Sequence, residues 1–105
     1  MRFLMTNVSE KSADEALFAE MGKFIEEMTT AGVLLATGGM ELGGSVVKAS
    51  GGEITVIDGP FAEAKEMAGG FALIEVRSRE EALELARRFF QIIGDGEGRI
   101  QQIYG

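Results

Sequence analysis

The chain has 105 residues, with 17 acidic against 10 basic side chains and a formal charge of −7. That length fits one domain, and a hydrophobic fraction of 46% supports a real core and excludes disorder. The negative charge disfavours phosphate backbones and anionic lipid, so neither a nucleic-acid nor a membrane partner is expected.

Cysteine and histidine are both absent. No disulfide can form, and a zinc or non-haem iron site built on thiolate or imidazole is excluded. No Ser-His or Cys-His nucleophile can be assembled. Acid–base chemistry is left to Asp, Glu, Lys, Tyr or a substrate's own groups, and neither metal nor other cofactor is expected. Met1 to Val8 is too short for a signal h-region, and no apolar run approaches the ~20 residues that span a bilayer. A cytoplasmic protein is the expectation.

Arg2 to Val8 predicts a first strand, with a turn at Ser9-Glu10-Lys11. Ser12 to Ala31 predicts a helix. Ser12 and Glu15 form a capping box, and Leu17, Phe18, Met21, Phe24, Ile25 and Met28 make one apolar stripe. Gly32 stops it. Val33 to Thr37 is a second strand, after which Gly38, Gly39, Gly43 and Gly44 punctuate the chain. Ser45–Ala49 and Glu53–Ile57 are read as further strands of a meander, joined by the hairpin turn Ser50-Gly51-Gly52.

A turn at Asp58-Gly59-Pro60-Phe61-Ala62-Glu63 holds the only proline. Ala62 to Met67 predicts one or two helical turns. Phe71 to Val76 is apolar on both faces and belongs in the centre of a sheet. Ser78 and Glu81 open a second helix through about Gln91. Gly94 to Gly98 reads as a loop, and Ile100 to Tyr104 as a last short strand. This order predicts an α+β sandwich of the ferredoxin-like kind, with both helices on one face of an antiparallel sheet. The bare face then needs cover, and a homodimer packed sheet to sheet supplies it.

Four stretches together carry a family resemblance: Asp58 to Glu66, Gly69-Gly70-Phe71, Leu73 to Val76, and Glu81 to Glu84. They resemble the DGPF branch of the YCII-related family, and the similarity spans most of the chain as one domain, 1–105. The resemblance implies a dimeric α+β barrel, and for most members no characterised activity. Some relatives in the wider family act on chlorinated hydroxyquinol-type aromatics, with a His–Asp pair proposed as the active site. Without histidine that pair cannot be carried over. The resemblance also implies a regulatory association with extracytoplasmic-function sigma factors.

Asp58 is the candidate catalytic residue. At a strand end, on the face of Ile54 and Val56, it could accept a proton from a phenol or enol. Equally, it could cap the turn by accepting backbone N–H bonds from Phe61 and Ala62. Pro60, Phe61, Glu63, Lys65, Glu66 and Glu75 are the candidate ligand contacts. Each has a plainer reading. Gly59-Pro60 is a rigid corner, Phe61 plugs a local apolar pocket, and Glu63, Lys65 and Glu66 form a solvated turn. Glu75, on the face of Phe71 and Leu73, needs a cationic partner from Arg2, Arg77 or Arg99. The Gly94–Gly98 run lacks a following helix and carries two acids, which argues against phosphate. Three functional readings follow: a homodimer without established catalysis, a cofactor-independent lyase, dehalogenase or isomerase acting through Asp58, or a module that binds a small ligand or a sigma factor.

Overall fold

The computed structural model describes residues 1–10, 15–41, 43–58 and 67–105. Six strands and two helices follow in the order β1 (Arg2–Glu10), α1 (Glu15–Thr30), β2 (Leu34–Met40), β3 (Ser45–Ser50), β4 (Glu53–Asp58), β5 (Met67–Glu75), α2 (Arg79–Ile93) and β6 (Gly96–Ile103). Four strands make an antiparallel sheet in the order β2-β5-β1-β6. This is the ferredoxin-like α+β arrangement, each helix linking an edge strand to a central one.

Register decides which residues form the core. Phe3 pairs with Ile74 and Gln102, and Met5 pairs with Ala72 and Ile100. Paired residues share a face, so these side chains lie together beneath the helices. Phe3, Met5, Ala72, Ile74, Val76 and Ala82 form the buried cluster, with Leu85, Ala86 and Phe89 of α2 packed on it. Phe3 is fully buried. The Arg79 guanidinium lies 5.3 Å from its ring centroid, closing the cluster at the start of α2.

The second helix begins where its capping box placed it. Ser78 is extended (φ −157°), and its hydroxyl accepts the Glu81 amide at 3.1 Å. It ends at Ile93, two residues beyond expectation, with Gly94 as its C-cap. Ser12 of the α1 capping box and the helical turns expected from Ala62 fall largely outside the described residues. Met67, where those turns were to end, opens β5 instead. Arg88 joins the two helices, donating from both terminal nitrogens to the Glu27 carboxylate at 2.9 and 3.0 Å. That pairing holds the Glu27 carboxyl below the usual carboxylate range.

Several glycines read as breaks, or left outside the expected strands, lie inside strands. Gly38-Gly39 belong to β2, Gly69-Gly70 to β5, and Gly96 and Gly98 to β6. Ser9 and Glu10, read as a turn, extend β1. The cause is packing that propensity cannot register. A Cβ on Gly98 would lie 2.9 Å from the Phe90 ring, so glycine lets α2 settle onto β6.

The expected meander is also corrected. Among the described residues, β3 and β4 pair only with each other and form a separate two-stranded sheet. Gly43 and Gly44, both at positive φ, turn the chain out of the β2 ladder before β3 starts. The resulting arm contacts chiefly itself. Val47, Val56 and Ile54 share one face and are 65%, 57% and 73% exposed. The radius of gyration, 15.8 Å, exceeds the ~13 Å of a compact chain of this length.

Candidate functional site

Asp58 closes the base of the arm. It pairs with Ser45 in the first rung, and the Ser45 hydroxyl donates to its Oδ1. The carboxylate is exposed, on the face of Val56 and Ile54 as alternation required. Pro60, Phe61, Glu63, Lys65 and Glu66 lie outside the described residues, as does the turn in which Asp58 was to act as a cap.

Glu75 lies on the sheet face away from the helices and does have a cationic partner. Its Oε1 accepts from Arg2 Nε at 3.2 Å, and its Oε2 lies 2.9 Å from the Met1 amino group. The amino group first, then Arg2, hold its carboxyl below the usual range. Arg2 was one of the three candidates named from sequence. Leu4, Leu73 and Phe71 continue this face as a half-buried apolar strip.

A larger feature lies on the other side of the sheet. α1 packs chiefly on α2 and β2, and it stands away from the ends of β1 and β5. The space between is a cleft of about 540 Å³. Its α1 wall includes Phe18, Met21 and Gly22, and its floor includes Asn7, Ser9 and Gly70. Phe18, read as part of the core stripe, is instead 67% exposed and stands at the edge of this wall. Nothing lies within 4 Å of where a Gly22 side chain would begin, so the wall is recessed at mid-helix.

Asn7 and Ser9 share the helix-facing side of β1 with Phe3 and Met5. Neither side chain has a hydrogen-bond partner among the described residues. Asn7 pairs with Gly70, where a Cβ would sit 2.9 Å from the Asn7 Oδ1; glycine makes room for the amide. Thr37, also in the lining, donates its hydroxyl to the Phe71 carbonyl at 2.8 Å and is committed. Sequence reasoning passed over Asn7 and Ser9. The signal was available, since two polar residues in register with Phe3 and Met5 must face the helices.

Among the described residues, no group of three or more potential ligands could hold a metal ion, and no helix is long and apolar enough to cross a membrane. The fold and cleft define a small α+β protein of the ferredoxin-like kind with an apolar pocket between helix and sheet. Residues 1–91 match the model of the YCII-related domain, and the chain belongs to the YCII-related family. It is 34% identical over 85 residues to an uncharacterized protein of Rhizobium meliloti (strain 1021), a match covering 79% of this chain and 68% of that one.

Proposed function

We propose that this protein binds a small molecule in the cleft between α1 and the sheet. The cleft itself carries the reading. It is a recess of about 540 Å³, open to solvent on one side and lined mainly by apolar side chains. It also lies within the size range of small-molecule sites, which are mostly apolar with a few polar groups. An enzymatic reading through Asp58 has weaker support, because that carboxylate is exposed and already accepts the Ser45 hydroxyl. Titration with Nile red, whose emission rises in apolar surroundings, tests the proposal. Saturable one-to-one binding that is lost in Gly22→Leu supports it. Absence of saturation, or binding undiminished by Gly22→Leu, removes it.

We also propose that the protein works as a homodimer through the bare sheet face. Leu4, Leu73 and Phe71 favour this, since an apolar strip on an open sheet gains by being covered. Sedimentation measures it directly. The expectation is a dimer that Leu73→Arg converts to a folded monomer, whereas a wild-type monomer at tens of micromolar ends the idea.

A further inference from the structure

We propose that the cleft selects an uncharged, mainly apolar molecule carrying one hydrogen-bonding group, such as a hydroxyl or carbonyl, which Asn7 and Ser9 hold. The inference rests on the ligand-binding reading above and adds the chemical class of the ligand. Two observations carry it: the charge of the lining and the state of its polar groups.

No Asp, Glu, Lys or Arg lines the cleft among the described residues. An ionised ligand would leave water without meeting an opposite charge among these residues, which is a costly form of burial. The protein's net charge of −7 adds a long-range bias against anions. A neutral ligand meets neither obstacle. Its apolar body gains the transfer energy of leaving water against Met21, Phe24, Ile25 and Leu34.

The polar side chains of the lining are few, and two of them have no hydrogen-bond partner among the described residues. Thr37 is committed to the Phe71 carbonyl. Asn7 keeps an amide that donates and accepts, and Ser9 keeps a hydroxyl. They stand two residues apart on one strand, roughly 7 Å along its axis. Gly70 leaves room for the Asn7 amide, whose Oδ1 lies 2.9 Å from where a Cβ would be. One polar group on a ligand reaches these side chains while the rest of the molecule lies along α1. A ligand with several polar groups would leave some of them unpaired against Met and Phe side chains, which lowers affinity.

The test compares three probes of one ring system at neutral pH: naphthalene, naphthol and naphthoate. The chain has no Trp and one Tyr, so ligand fluorescence reads binding with little background. Naphthol is expected to bind tightest, with naphthoate at least about tenfold weaker. The double truncation Asn7→Ala, Ser9→Ala should weaken naphthol about five- to tenfold, the loss expected for one hydrogen bond, and leave naphthalene unchanged. The single variant Ser9→Ala, which removes only a hydroxyl, serves if the double variant does not fold. Equal affinity for naphthol and naphthoate overturns the proposed class, as does naphthol binding that survives the truncations. Those results still leave Nile red binding in place. If no naphthyl probe binds and Nile red also fails, the ligand-binding reading itself falls.

Discussion

Ser45 and Asp58 face each other across the first rung of the β3–β4 arm, the hydroxyl of one donating to the carboxylate of the other. The bond lies where the arm leaves the body, with solvent around it. Asp58→Asn keeps an acceptor oxygen and should change stability by less than ~0.5 kcal/mol, whereas Asp58→Ala frays the base of the arm. A two-stranded ribbon is marginal by itself. Hydrogen exchange should therefore be fast at the amides of 45–58 and slow in β1 and β5. Arm amides protected as well as those of β1, at concentrations where the chain is monomeric, would contradict this picture.

Phe3 is the opposite case, a fully buried ring under Arg79 at the centre of the sheet. Phe3→Ala should cost ~3–5 kcal/mol, read from denaturant midpoints. A domain of this size is stable by only about 5–15 kcal/mol, so the variant should lose a large share of its stability and melt many degrees below wild type. Arg79→Ala should cost far less, about 0.5–1 kcal/mol.

Gly22 sits in the interior of α1 with no neighbour near its missing side chain. Gly22→Ala should stabilise the fold by ~0.5–1 kcal/mol and raise the melting temperature by several degrees. A methyl group narrows the cleft little, so Nile red binding should persist in this variant. It should fail in Gly22→Leu, which shares the helical gain but fills the recess. The contrast separates stability from binding.

The Glu27–Arg88 pair ties the helices together, and its effect depends on pH in a defined direction. Arg88 lowers the folded-state pKa of Glu27. The stabilisation is therefore present above the unfolded value of roughly 4.3 and is lost as pH falls through the depressed folded value. Wild type should exceed Glu27→Gln in stability at neutral pH, and the two should converge in acid. Because both side chains are exposed, the difference should also shrink in high salt. A gap between the two proteins that persists in strong acid would show that the ion pair is not its origin.

Much of the fold was legible in short-range signals. The capping box at Ser78 and Glu81 located α2, because it is a contact between residues three apart. Alternation placed Asp58 with Val56 and Ile54, and Glu75 with Phe71 and Leu73. The family was legible from Asp58 to Glu66 and its spacing to Gly69-Gly70, although most of that motif lies outside the described residues. Glycines misled the reading wherever a distant side chain used their bareness, as Phe90 does at Gly98 and Asn7 at Gly70.

By itself, then, the sequence determined the order of elements, the ferredoxin-like class, and the exclusion of histidine and cysteine chemistry. All of these follow from composition and from contacts within a few residues. Tertiary structure alone decided that β3 and β4 form a separate arm and that α1 stands off the ends of β1 and β5. It also turned a stripe read as core, with Met21 and Ile25 in it, into the wall of a cleft. The physical reason is that an apolar stripe states only that a helix must face something apolar. How closely it approaches depends on what occupies the facing strand, and there the chain has Asn7, Ser9 and Gly70.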